Sequence, residues 1–156
     1  MGELTRPDLM VPETCDGRVF SITNEGNFVA DVDLIDVYLD DYSEEHKICF
    51  AAFLNSTIFA LFREIEGRIS GGGASRLKIY ELKSIKVLPP GKIPREMAEK
   101  IQDLFEILIS LKINSAQFVR VQEKMDRLFL TMIDPSISYE RVRKGLLELQ
   151  KARKRH

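Results

Sequence analysis

A run of three glycines lies among basic side chains in the middle of the chain. Between residues 67 and 92 there are six basic side chains and a single acidic one, Glu81. The set of interest comprises Arg68, Gly71, Gly72, Gly73, Arg76, Lys78, Lys83, Lys86 and Lys92. Arginine can grip a phosphate or a guanine edge with two N–H donors, whereas lysine acts as a point charge. Because glycine lets the backbone approach a partner closely, the pattern predicts a flexible loop that binds a polyanion; a solvated loop without a ligand is the alternative.

No catalytic or metal-binding motif accompanies this loop. The glycine run lacks the Gly-Lys-Ser/Thr ending of a phosphate-binding P-loop, and the chain has no His-Glu-x-x-His or Gly-x-Ser-x-Gly pattern. Two cysteines and two histidines without ligand spacing predict neither a metal site nor a disulfide framework. We therefore expect no cofactor, no metal and no enzyme activity in this chain. An enzyme of unknown type is the weakest of the function hypotheses.

Charge is distributed unevenly along the 156 residues, which most simply form one domain. Residues 1–66 carry 14 acidic and 4 basic side chains, whereas residues 67–156 carry 10 acidic and 19 basic ones. This asymmetry indicates a polyanion partner for the second part, or two parts that complement each other in the fold. The first ten residues do not resemble a signal peptide, and the longest apolar run is shorter than the roughly 20 residues of a membrane span. These features predict a cytoplasmic protein with no membrane partner.

The part before the loop predicts a small antiparallel sheet and a buried helix. Three strands are expected, at 18–23, 28–30 and 35–39, after a lead-in over 1–12 that is frayed or becomes ordered on contact with a partner. Ser43 is a suitable N-cap for one continuous helix, roughly 34 Å long, from Glu44 to Glu66. That helix is apolar around most of its circumference, so it should be buried. Asn55 and Ser56 interrupt its apolar run, and we assign them a structural role because a buried amide needs hydrogen-bond partners.

The part after the loop is mainly helical. A turn of helix at 80–83 should lead to a short strand at 85–88, which Pro89 closes structurally. Apolar residues then recur at helical spacing over 95–132, which predicts a helical hairpin or an intermolecular helix pair. Ser138 should cap a last helix, followed by a basic tail that is more readily solvated than bound to phosphate. The expected fold is α+β in a single domain, with an α/β part over 1–93 and a helical part over 94–156.

The order of these motifs resembles the C-terminal target-recognition region of adenine-specific (N6) DNA methyltransferases of restriction–modification systems. Such regions occur in type I specificity subunits and in fused type II enzymes. The matching segments are Leu54-Asn55-Ser56, Gly67-Arg68, Gly71-Gly72-Gly73, the run from Tyr80 to Pro89, and the helix around Glu123–Leu128. Glu81 stands where the family usually has aspartate. The resemblance implies that double-stranded DNA is the partner.

The resemblance does not extend to the catalytic part of that family. The Asn/Asp-Pro-Pro-Tyr/Phe tetrapeptide and the glycine-rich site for S-adenosylmethionine are both missing from this sequence. We therefore expect a DNA-binding target-recognition module that serves a methyltransferase catalytic domain or subunit carried elsewhere. Arg68 and Lys78 are expected to contact phosphates, and Arg76 a base edge. The alternative is a structural or oligomerisation module that uses the helices of residues 95–132, possesses no nucleic-acid role and forms a homo-oligomer.

Overall fold

The fold is α+β, as predicted: among the residues that the structure describes, two small antiparallel sheets accompany six α-helices. A computed structural model of the chain describes residues 6–17, 20–26, 28 and 33–155. Parts of two expected strands, at 18–19 and 29–30, lie outside these described residues. The strands are β1 (Leu9–Pro12), β2 (Thr14–Cys15), β3 (Ile22–Thr23), β4 (Leu34–Val37), β5 (Arg68–Ser70) and β6 (Ala74–Arg76). The helices are α1 (Glu44–Leu54), α2 (Thr57–Glu66), α3 (Ile79–Ser84), α4 (Arg95–Ser110), α5 (Ala116–Ile133) and α6 (Tyr139–Arg153).

The central strand of the first sheet comes from the segment expected to be a frayed lead-in. The strand order is β3-β1-β4, and both pairings are antiparallel. Leu9, Met10 and Val11 of β1 are all buried. A strand that is buried on both faces reads as a continuous apolar run and shows no alternation, so its strand character is hard to see in the sequence. The frayed interpretation of 1–12 was therefore wrong for residues 9–12.

The second sheet has the order β2-β6-β5 and is also antiparallel. Its strands β5 and β6 flank the three glycines, so the segment expected to be a loop is a β-hairpin. Glu13 lies between β1 and β2 and is the point at which the chain passes from the first sheet to the second. This connection places an acidic side chain next to the hairpin.

The single helix predicted over 44–66 is wrong, because α1 and α2 are separate helices that meet at an angle of 62°. Asn55 caps the C-terminus of α1, and the hydroxyl of Ser56 caps the N-terminus of α2 by accepting the Phe59 N–H at 3.0 Å. Short polar side chains offer the backbone local hydrogen bonds that compete with helix continuation. Within the described residues no single helix is long and apolar enough to cross a membrane, although the bent α1–α2 pair has that length and composition.

Asn55 is buried and joins three parts of the chain. Its amide donates to the carbonyl of Ala51 and to the hydroxyl of Ser21, both at 2.8 Å. The Ser21 N–H donates back to the Asn55 side-chain oxygen at 3.3 Å, and Gln122 of α5 donates to the Asn55 carbonyl at 2.9 Å. The Asn55 side chain thus supplies a hydrogen-bond donor to a carbonyl in the last turn of α1, and it attaches this helix end to the segment that leads into β3.

Replacing Asn55 with leucine should lower the free energy of unfolding by about 1–3 kcal/mol, because the hydroxyl of Ser21 and the carbonyl of Ala51 lose a buried partner. Denaturant unfolding of the variant and the parent measures this difference. Full stability of the variant would contradict this structural role.

The glycine at position 67, where α2 ends, is explained by close contacts and not by a left-handed backbone conformation. Its φ is −75°, which any residue can adopt. A Cβ at this position, however, would lie 2.6 Å from the carbonyl oxygen of Arg63 and 3.0 Å from that of Arg76. Glycine is therefore required because a side chain would clash with the last turn of α2 and with β6, which passes close to it.

The segment after α3 is not the strand that was predicted. Residues 85–88 are extended, but they join neither sheet. Ile85 is buried in the core, and Pro89 then leads into a 3-10 turn over Pro90–Lys92, in which the Pro89 carbonyl accepts the Lys92 N–H at 2.9 Å. The apolar residues here serve packing against the core, which produces the same sequence pattern as a buried strand.

Helices α4 and α5 form a helical hairpin and pack against each other. The turn between them contains Asn114 at a φ of 63°, and Ser115 caps α5 by accepting the Phe118 N–H at 3.1 Å. Leu108 and Val121 of the apolar stripes are buried inside the chain. An intermolecular helix pair is therefore not needed to cover these stripes.

The core lies where α1, α2, α4 and α5 converge. The ring of Phe53 in α1 packs edge-on against Phe129 of α5 at a centroid distance of 5.4 Å, and Phe59 of α2 is fully buried beside it. Cys49 of α1 is also fully buried, with its sulfur 3.9 Å from the carbonyl oxygen of Ala98 in α4. Helix α6 packs on α2 and brings the C-terminal segment towards the second sheet.

Candidate nucleic-acid interface

The hairpin of β5 and β6 places two arginines side by side. Arg68 and Arg76 are directly opposite each other in the antiparallel register, so their side chains leave the same face of the sheet. The glycines form the turn between β5 and β6. Gly72 and Gly73 have φ of 76°, a conformation that favours glycine, and a Cβ on Gly72 would meet no atom within 4 Å. Gly71 and Gly72 are exposed, so the tip of the hairpin is an open backbone surface at these two residues, whereas Gly73 is buried.

Arg68 is held in place by Glu81 and Tyr80. Its Nε donates to the Glu81 carboxylate, and its guanidinium carbon lies 5.2 Å from the centroid of the Tyr80 ring. The same carboxylate accepts the Lys78 backbone N–H at 2.8 Å, which caps the start of α3. The Lys78 N–H and then Arg68 hold the pKa of Glu81 below its usual value. Glu81 therefore remains a charged anchor for Arg68 at neutral pH.

Arg76 and Lys78 share one acidic partner, Glu13. The Nε of Arg76 donates to Glu13 Oε1 at 3.1 Å, and the Lys78 ammonium pairs with the same oxygen. Hydrogen bonds from Lys78 and from Arg76 lower the pKa of the Glu13 carboxyl. Glu13 precedes Arg76 by 63 residues, and it reduces the net positive charge that the local sequence suggests for the hairpin.

Both arginines keep their terminal nitrogens open. Each uses Nε for its carboxylate, and among the described residues neither Nη group has a hydrogen-bond partner. The side chains of Arg68 and Arg76 are 66% and 45% exposed. A guanidinium fixed through Nε directs its two Nη groups outward as a fork, the geometry that matches a phosphate or a guanine edge.

Lys83 and Lys86 lie apart from this cluster. Lys83 borders an apolar groove of about 410 Å³ between β4 and α3, and Lys86 is exposed on the extended segment that follows. None of the contacts within the described residues joins either lysine to Arg68, Arg76 or Lys78. The structure thus brings three of the predicted cations together with the glycine turn and leaves these two elsewhere.

The end of α6 braces the glycine turn, which the sequence does not indicate. The guanidinium of Arg153 donates to the Gly73 carbonyl and also forms an ion pair with Glu64 of α2 at 2.9 and 3.1 Å. The side chains of Arg153 and Glu64 are only 5% and 2% exposed. The turn is therefore fixed to the body of the protein through a buried charge pair.

The sequence did not predict that Glu13 and Glu81 pair with the cations of the hairpin. Of the two, only Glu81 has an indication of its role in the nearby sequence. A glutamate three residues after the residue that precedes a helix is the spacing of a helix N-terminal cap. Glu13 has no comparable signal, since its contact depends on how the two sheets adjoin.

No family model, curated protein or solved structure matches this chain.

Proposed function

We propose that this chain is a DNA-binding target-recognition module that serves a methyltransferase catalytic domain or subunit carried elsewhere. The observation that carries the proposal is the pair of arginine forks on one face of the β5–β6 hairpin. The pattern of motifs that resembles adenine-specific DNA methyltransferases supports the same function. In this proposal the chain itself transfers no methyl group, and transfer of a labelled methyl group to DNA by the pure protein would contradict it.

The forks suit duplex DNA because they combine fixed orientation with an open approach. The hairpin tip has no side chains at Gly71 and Gly72, which are both exposed, so a backbone or a base edge can come close to it there. Arg76 leaves the central strand of the second sheet, and Arg68 leaves the edge strand. We assign Arg76 to a base edge and Arg68 to a phosphate. Lys78 supplies a further point charge beside them.

The carboxylates of Glu13 and Glu81 limit the electrostatic part of the binding. Three cations at the hairpin face two acids, so fewer counterions are released than the local count of basic residues suggests. The acids also orient the guanidinium groups before DNA arrives, which reduces the side-chain entropy lost on binding. The arrangement favours directed hydrogen bonds over non-specific attraction.

The alternative is an oligomerisation module that uses the apolar stripes of α4 and α5. The two helices pack against each other and bury Leu108 and Val121, so these residues need no partner helix. Ile107 and Ile109 of α4 stay exposed, and they are the surface that an oligomer would use. The DNA-binding function is therefore the one that the geometry supports better.

Replacing Arg76 with alanine should weaken binding to the preferred duplex by about 1–3 kcal/mol and relax its sequence preference, because one bidentate base contact is lost. Replacing Arg68 with alanine should instead weaken binding to all sequences and reduce the slope of log affinity against log salt by about 0.9. Fluorescence anisotropy measures both effects when two probes are compared: the preferred duplex and a pool of duplexes of random sequence.

Arg95→Ala is the matched control for these two variants. Arg95 is an exposed arginine of α4 that also pairs with one glutamate, Glu99, at 3.0 Å. Its removal deletes the same charge away from the hairpin and should leave DNA binding unchanged. Equal behaviour of all three variants would contradict the proposal, as would an unmodified chain with no salt-dependent affinity for DNA.

A further inference from the structure

The basic segment at the end of α6 lies against the glycine turn, although Gly73 and Arg153 are 80 residues apart in the chain. The Arg153 guanidinium donates to the Gly73 carbonyl, and a Cβ on Gly73 would lie 3.5 Å from the Cα of Lys154. The backbone of the C-terminal segment therefore passes close to the tip of the hairpin at Arg153 and Lys154.

Two cations beside Arg153 are exposed: Lys154 and Arg155. Lys151 lies on another face of α6, in a groove lined by Glu123, Glu140 and Glu148. Lys154 pairs with Asp16 at 3.2 Å, but both side chains are more than half exposed, and such surface pairs contribute only about 0–1 kcal/mol. Within the described part of the chain, Arg155 forms no ion pair. Asp16 can therefore be replaced by another anion, and the segment retains a net positive charge.

The spacing between the two groups of cations suits a single duplex. Gly73 and Arg76 are three residues apart on a strand, which corresponds to about 10 Å at ~3.3 Å per residue. That length matches about three base-pair steps of ~3.4 Å. Because Lys154 adjoins Gly73, the C-terminal cations and the arginine forks lie within one helical turn of DNA.

We propose that Lys154 and Arg155 form a second phosphate-binding element, which contacts the DNA backbone beside the hairpin. This inference rests on the proposed DNA-binding function. The element supplies affinity that does not depend on sequence, since phosphate contacts position a protein on the duplex and base contacts specify the site. Arg153 acts as its positioning residue, because the buried pair with Glu64 fixes the segment next to the turn.

Cations in the last turn of a helix also stabilise the negative end of the helix dipole, so a purely structural role has to be separated from DNA binding. The test variant is Lys154→Ala/Arg155→Ala in the full chain. The control variant is Arg95→Ala/Lys112→Ala, which removes the same number of exposed charges from α4 and the turn after it. A 20-base-pair duplex of random sequence is the probe.

The test variant should reduce the slope of log affinity against log salt by about 1–2, because each lost phosphate contact removes about 0.9. Its preference among duplex sequences should stay that of the parent, and the control should keep the parent slope. An unchanged slope in the test variant, together with reduced binding of Arg68→Ala and Arg76→Ala, would overturn this inference and leave the hairpin function in place.

An unmodified chain without salt-dependent affinity for DNA would overturn both proposals together. Thermal unfolding of each variant is measured in parallel. A lower melting temperature for the test variant with unchanged DNA binding would mean that these cations serve only the end of α6.

Discussion

Replacing Arg153 with methionine is expected to lower the free energy of unfolding by about 3–5 kcal/mol. The change leaves the carboxylate of Glu64, which is 2% exposed, in the interior without its partner. It also removes the donor to the Gly73 carbonyl, so the glycine turn loses its brace. Denaturant unfolding measures the loss. DNA binding should weaken even under conditions in which the variant is fully folded.

Two further variants identify the cause. The double change Glu64→Gln/Arg153→Met removes both charges and should recover part of the lost stability, because no unpaired charge remains buried. Arg127→Ala removes an arginine that pairs with Glu123 and Glu140 on the surface, and it should cost no more than about 1 kcal/mol. A loss below 1 kcal/mol for Arg153→Met would show that the end of α6 does not rest against the turn in solution.

Replacing Arg63 with methionine should have a comparable effect, a loss of about 3 kcal/mol or more. The side chain is fully buried and donates to the carbonyls of Pro12 and Glu13, both at 2.6 Å, and to that of Ser75 at 3.4 Å. Hydrogen bonds from a charged donor contribute about 1.5–3 kcal/mol each, and the stranded carbonyls would remain buried. Burial lowers the pKa of Arg63, but an arginine stays protonated in proteins.

Arg63→Lys separates geometry from charge at this position. Lysine keeps the positive charge but has no planar fork, so it cannot reach carbonyls of two different sheets together. It should recover only part of the stability lost in Arg63→Met. Because Arg63 holds the backbone of Glu13, whose carboxylate orients Arg76, both variants should also weaken DNA binding. Retention of parental stability by either one would contradict the structural role of Arg63.

The helix starts were predictable wherever a serine hydroxyl stands before an amphipathic run. Ser43 and Ser138 cap α1 and α6 as expected, with hydroxyls that accept the N–H of the third residue after them. Ser56 has the same geometry at the start of α2, yet apolar residues on both sides of it favour one unbroken helix. Burial of both helices, and not amphipathic periodicity, produces that apolar run, so the sequence contains no clear sign of the 62° bend.

The cations of the site were predictable from composition, but their partners were not. Glu81 lies close to Arg68 in the chain, whereas Glu13 and Arg153 reach the hairpin from 63 and 80 residues away. Contacts of that kind depend on how two sheets and a terminal helix pack together, and no local periodicity encodes them. The free Nη groups of Arg68 and Arg76 could not be predicted from the sequence. Only the folded structure shows which guanidinium nitrogen pairs with each carboxylate.

The burial of Cys49 links its reactivity to the motion of the helices around it. Burial, followed by the nearby charge of Glu45, raises the pKa of the thiol to about 11, so at neutral pH it is almost entirely protonated. The thiolate is the reactive species, and no reagent can reach the sulfur while α1 rests on α4. Alkylation of Cys49 therefore has to wait for the two helices to separate. The rate at which Cys49 is alkylated therefore measures how often the core opens. It reports unfolding in a chain that has no tryptophan.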